Sequence, residues 1–233
     1  MKKNLILLLF VISTFVGCSH DEEMIYSCDK AVNEWTIDNL TFIQKMTRKD
    51  WLVLSKAEKR AAYRAFTQQQ RINFWLDKLQ EVKSLNWSIE EIHHIEKVES
   101  FIKDHTEFMN NKKLSDEELD ILEKYFYMWL EEGKSVYGWT DNIGISIAGS
   151  GEVAKNTKGE LFDEATEYNN DSDLTNRGGE ECECNQSVFS DFCGGAGPCV
   201  ESKCTEQADG CGWLFLQQCN GICYRVDYEQ VLE

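Results

Sequence analysis

Ser88-Ile89-Glu90-Glu91-Ile92-His93-His94-Ile95-Glu96-Lys97-Val98-Glu99-Ser100-Phe101-Ile102 decides the class of the fold. A serine followed three residues later by a glutamate is a capping box. Its hydroxyl and its carboxylate each accept from a backbone N–H that a helix start leaves without a partner. Ile92, Ile95, Val98 and Ile102 then recur at steps of three and four, the period of one helical face. The same punctuation stands at Ser55 with Glu58, Thr67 with Gln70, and Ser115 with Glu118. Two further stripes agree with it: Ile72, Trp75, Leu79 and Val82, then Leu119, Leu122, Phe126 and Trp129. No proline precedes Pro198, so nothing removes a helical hydrogen bond. Connections as short as Ser84 to Ser88 predict packed antiparallel neighbours. The expectation is a bundle of four or five helices over residues 29–137, with Trp35, Phe66, Trp75, Phe126 and Trp129 in its core.

The pattern changes after the bundle. Ile143, Ile145 and Ile147 alternate with Gly144 and Ser146, which predicts one short strand. Asn169-Asn170-Asp171, Gly178-Gly179 and many acids follow, with little to bury. Residues 138–181 therefore read as a Gly-rich and acidic linker. Arg177-Gly178-Gly179 at its end reads as a hinge, with cleavage after the double glycine as the rarer alternative.

Ten cysteines occur in 233 residues, and eight of them crowd between residues 182 and 223. Cys182, Cys184, Cys193, Cys199, Cys204, Cys211, Cys219 and Cys223 read as a disulfide framework in residues 182–233. A segment this short gains little stability from a core alone, and each disulfide contributes roughly 2–4 kcal/mol. Spacing does not choose the pairing, and full internal pairing would leave Cys28 over. Zinc is the rival reading, but only Cys199-x₄-Cys204 and Cys219-x₃-Cys223 approach zinc-ligand spacing. The fold class expected is mainly α: an N-terminal helical bundle plus a small disulfide-rich C-terminal module.

The first residues specify an address. Lys2 and Lys3 precede an apolar run from Leu5 to Val16, of signal-peptide length and too short to span a bilayer. The run closes on Gly17-Cys18. Residues 1–17 read as a lipoprotein signal peptide and Cys18 as the lipidated residue, which makes the membrane a partner through the anchor. Residues 18–28 form an acidic tether. Its run Asp21-Glu22-Glu23 resembles the surface-export signal of Bacteroidetes lipoproteins, which implies a lipid-anchored protein on the outer membrane facing the exterior. The net charge of −17 argues against nucleic acid, whose binding rests on lysine and arginine.

Enzyme chemistry finds little support. Glu90 with His93, and Glu91 with His94, are E-x-x-H pairs, but di-iron bundles carry that motif on two helices. His94 shares a stripe with Val98, Phe101 and His105 and reads as a histidine at the edge of the core. No nucleophile elbow and no phosphate-binding glycine loop occurs. The expectation is a protein that is not an enzyme and needs no cofactor or metal.

Cys182-Glu183-Cys184-Asn185-Gln186-Ser187, then Cys193, Cys199 and Cys204, lead to Gly210-Cys211-Gly212-Trp213 and Cys219-Asn220-Gly221. This order resembles fulvocin C, a small cystine-rich bacteriocin, and the fulvocin C-related lipoproteins of Bacteroidetes. The stretches Ser55-Lys56-Ala57-Glu58-Lys59-Arg60 and Arg71-Ile72-Asn73-Phe74-Trp75 are similar to the upstream part of those lipoproteins. The resemblance implies a bacteriocin-like module used in interbacterial antagonism. The alternative is a binding or adhesion lipoprotein, its cystine knot a protease-resistant recognition head for a protein or cell-surface target. Residues 182–233 carry Lys203 and Arg225 against eight acids, unlike a cationic pore-former. Trp213, Leu214, Phe215 and Leu216 are either a contact patch for a membrane or receptor, or the core of the module.

Overall fold

The computed structural model describes residues 25–162, 181–186 and 199–223. Cys18, the expected signal peptide before it, the acidic run after it, Arg177-Gly178-Gly179 and Cys193 lie outside them. The chain is mainly α, with a helical N-terminal part and a disulfide-bonded C-terminal strand region.

Each capping box opens a helix. Ser55 starts α4 (Lys56–Ala65), Thr67 starts α5 (Gln68–Lys83), Ser88 starts α6 (Ile89–Asp104) and Ser115 starts α7 (Asp116–Tyr137). Three shorter helices precede them: α1 (Lys30–Asp38), α2 (Leu40–Ile43) and α3 (Arg48–Leu52). Thr47 and Asp50 make a fifth box before α3, which the search for Glu or Gln at the third position passes over. α7 stops at Gly138, whose φ of 72° gives the left-handed cap that glycine tolerates.

The core runs through all the long helices. Phe66, Trp75, Phe126 and Trp129 are buried, while Trp35 is only partly covered. His94 joins α6 to α7. A carbonyl oxygen only accepts, so His94 carries its proton on Nε2 and donates to Trp129 O at 2.9 Å. Trp129 Nε1–H donates back to His94 O at 3.0 Å. Burial lowers the His94 pKa, which keeps the ring neutral and suits this tautomer.

Residues 143–147 correct the expectation of a strand, and within the expected linker 138–181 residues 143–154 pack on the helices, while 163–180 lie outside the described residues. Asp141–Gly144 form α8, and Ile145–Gly149 continue as one π-helical turn. Ile143, Ile145, Ser146 and Ile147 are all buried. The small residues alternate with isoleucine because this turn is enclosed on every side, not because it presents two strand faces. A Cβ on Gly144 would meet Leu130 Cδ1 at 2.6 Å, and Ser146 returns its hydroxyl to Ile143 O at 2.8 Å.

The following segment is tied down by buried charge. Arg48 donates to Gly151 O at 2.9 Å and to the Glu81 carboxylate at 2.6 Å. Glu81 accepts from the Ala154 N–H at 2.9 Å, and Lys59 holds the Glu152 carboxylate at 2.9 Å. Lys78 is fully buried and donates to Glu152 O. Desolvation lowers its pKa to about 8, against the opposing pull of Glu81.

The cystine region has two small antiparallel pairs. β1 (Cys199–Val200) pairs with β4 (Ile222–Cys223), and β2 (Gln207–Cys211) pairs with β3 (Gln217–Cys219). Disulfides join Cys182 to Cys204, Cys184 to Cys199 and Cys211 to Cys219. Cys223 and Cys28 are each disulfide-bonded as well.

Candidate functional site

The seam between the helices and the cystine region gathers the least ordinary chemistry in the molecule. Its apolar half is the loop between β2 and β3. Trp213, Leu214 and Leu216 are 1%, 0% and 4% exposed, which corrects their assignment as a free contact patch. They are not the private core of a separate module either, since the helices supply most of their surroundings. Trp213 stacks on Phe126 with ring centres 4.8 Å apart and meets Trp129 edge-on at 6.2 Å. Phe215 sits 5.1 Å from both Tyr63 and Trp75. Tyr63 donates its hydroxyl hydrogen to Leu214 O at 3.0 Å, and its oxygen accepts from Trp75 Nε1–H at 3.0 Å. Burial pushes the Tyr63 pKa up to about 12, so the phenol stays a donor.

This loop has an unusual backbone. Leu214 and Phe215 both lie at positive φ, 53° and 55°, where a side chain crowds the following carbonyl. Each such residue costs roughly 1–2 kcal/mol, which the surrounding contacts must outweigh. The Cys211–Cys219 disulfide closes the base of the loop. Gln217 accepts from the Trp213 N–H at 2.9 Å and donates to Glu123 on α7 at 2.8 Å. Gly212, at φ 68° and ψ −160°, lets the chain pass over Gln217. A Cβ there would lie 2.0 Å from Gln217 Oε1 in a region that only glycine adopts readily. Gly212→Ala is therefore expected to cost about 3 kcal/mol or more, read as a lower urea midpoint at unchanged slope.

The polar half is a cation row meeting three carboxylates, Glu181, Glu183 and Asp209. Lys56, Arg60 and Arg64 recur every four residues and so share one face of α4. Arg71 adds a fourth cation from α5. Arg64 Nη1 donates to Glu181 at 2.9 Å and to Tyr26 O at 3.0 Å. Arg60 stands 3.8 Å from the same carboxylate, and Lys56 reaches Glu183 at 3.2 Å. Arg71, 1% exposed, pairs with Asp209 at 2.7 Å and lies over the Tyr63 ring at 4.8 Å. Glu181 also accepts from the Cys28 N–H at 2.7 Å, and Gln207 Nε2 reaches Cys28 Sγ at 2.8 Å. The N-terminal strip 26–28 is thus gripped in the same seam.

Burial alone would raise the Glu181 pKa. The Arg64 charge and hydrogen bond, with donors from Cys28 and Ser27, outweigh it and hold the carboxyl below the ordinary glutamate value. A depressed carboxylate pKa stabilises the fold above the unfolded value of about 4.3, and that contribution is lost as pH falls through the folded one. Urea midpoints should therefore drop below about pH 4, and Glu181→Gln should flatten that acid limb while lowering stability at neutral pH. An acid limb of equal steepness in the variant would remove Glu181 as its cause.

Compared with protein-family models, with curated proteins and with solved structures, the chain matches none.

Among the described residues, no group of three or more histidine, cysteine or acidic side chains is placed to hold a metal ion, and no helix is long and apolar enough to cross a membrane. The structure brings together six of the eight expected framework cysteines as three pairs. Sequence reasoning missed Tyr63, Arg64, Arg71, Glu181 and Asp209. One signal was available. Arg71 and Lys78 fall in step with Trp75 and Val82, so two cations stand on a stripe that faces the core.

Proposed function

We propose that this chain is a surface-anchored recognition lipoprotein without enzymatic activity. A lipid on Cys18 holds it at the outer membrane, and the cystine region forms a rigid face that engages a protein or other target outside the cell. The supporting observation is the shared core. Trp213, Leu214 and Phe215 pack among Tyr63, Trp75 and Phe126, so the cystine region is carried as part of one body rather than as a detachable peptide. Disulfides suit a protein exposed to proteases, because the covalent link restrains local opening.

Two measurements test this reading. Metabolic labelling with a palmitate analogue should mark the wild-type chain and not Cys18→Ala. The purified chain from residue 18 onward, produced without its acyl anchor, should bind intact cells saturably without slowing their growth. Saturable binding with growth arrest would replace this reading with the second one, and no binding to any cell tested would end it.

The second reading is interbacterial antagonism, as the resemblance to the fulvocin C-related lipoproteins implies. The observation in its favour is the loop itself: an apolar aromatic segment, clasped by a disulfide and held in a conformation its residues adopt at a cost. A segment needed only to fill a core would not require two successive left-handed side chains.

A further inference from the structure

We propose that the helical part masks a lipid-seeking loop, Trp213–Leu216, and that opening the seam delivers this loop to a zwitterionic bilayer. The inference deepens the antagonism reading and is tested separately from it. Two independent features carry it.

The first is composition. Trp213, Leu214, Phe215 and Leu216 are contiguous; indole rings settle at a membrane interface, and Phe and Leu supply the apolar face that enters it. The same region has only Lys203 and Arg225 against eight acids, which removes attraction to anionic headgroups and leaves apolar insertion as the driving force. The second is conformation. The positive φ of Leu214 and Phe215 is maintained by groups outside the loop: the Tyr63 hydroxyl on Leu214 O, the rings of Trp75 and Phe126, and the Glu123 carboxylate acting through Gln217. Once those groups are withdrawn, the loop relaxes to ordinary backbone angles and presents its four side chains together. The Cys211–Cys219 disulfide stays closed throughout, so the loop remains a short, clasped unit and no redox step is involved.

The seam provides the hold. Arg64 and Arg71 keep Glu181 and Asp209 against the helices, and Asp209 lies two residues before Cys211 at the foot of the loop. The mask therefore consists of an aromatic socket with an ionic latch beside it.

The test uses residues 18–233 produced without residues 1–17, so that Cys18 carries no acyl chain, and vesicles of phosphatidylcholine. Tyr63→Phe with Glu123→Ala removes two contacts to the loop region while leaving the loop sequence and every cysteine in place. Wild-type protein is expected to stay in solution. The double variant should bind vesicles about tenfold more, with a blue-shifted tryptophan emission, and adding Phe215→Ser should cancel the gain. Equal binding by wild type and double variant overturns the mask. Should the double variant lose its helices, native-state hydrogen exchange on the unaltered chain decides. Amides of residues 207–219 should exchange through an opening that leaves α5 protected, and exchange only through global unfolding overturns the proposal. Growth-inhibition assays with the double variant separate the two ideas. Vesicle binding without inhibition keeps the mask and ends the antagonism reading; inhibition without vesicle binding keeps antagonism and overturns the lipid partner.

Discussion

Trp213→Ala is expected to lower the stability of the whole protein by about 3–5 kcal/mol, the range for removing a buried tryptophan. The indole fills a site built by Phe126 and Trp129 of α7. Its loss leaves a cavity in the helical core, not in a separate appendage. The diagnostic readout is therefore far-UV circular dichroism during urea unfolding. The helical signal should lose its midpoint together with tryptophan fluorescence, in one transition. A typical domain has only about 5–15 kcal/mol to lose, so the variant should sit close to the edge of folding at 37 °C. An unchanged helical transition beside a disordered cystine region would show two independent units and contradict the shared core.

Asp209→Ala should be nearly as damaging, by about 3–5 kcal/mol, for an electrostatic reason. The substitution removes only a small side chain. What it leaves behind is Arg71, 1% exposed and without the carboxylate now 2.7 Å away. Arg64, 3.8 Å from the same residue on its other side, loses a neighbour too. A buried guanidinium without a counter-charge is costly, whereas replacing both partners by apolar groups is often close to neutral. Arg71→Met combined with Asp209→Leu should accordingly recover much of what Asp209→Ala loses. Recovery is incomplete because Arg71 also donates to Asn110 O and Arg64 O at 3.3 Å, and methionine satisfies neither. Additive losses in the double variant would mean that the pair is not the source of the effect.

The long helices were legible because their signals are local. A capping box spans four residues and an apolar stripe repeats every turn, so Ser88 and Ile92 announce α6 with no knowledge of what covers it. The isoleucines of 143–147 misled for the same reason in reverse. A short apolar run with small residues between reads as a strand, and only the enclosure of Gly144 by Leu130 makes it a helical turn. Cysteine crowding announced the disulfides but not their partners, since pairing depends on three-dimensional approach. The seam was the least legible part. Arg64 meets Glu181 across 117 residues, and Tyr63 meets Leu214 across 151, beyond any window in which periodicity carries information. Trp213 to Leu216 looked the same on paper whether turned outward or inward. The helical residues that would receive them gave one hint only, the cations standing where leucine was due.

The 151 residues between Tyr63 and Leu214 also set a schedule. At about 5–20 residues per second, synthesis takes roughly 8–30 s to travel that distance. In the later part of this interval, once α7 has ended at Tyr137, the long helices are complete in sequence, yet the aromatic groove that Phe215 fills has no occupant. Trp75, Phe74 and Phe126 are then open to any sticky neighbour, including another nascent copy. A holding chaperone that covers those rings until residues 213–216 arrive is therefore expected to raise the yield of folded chain.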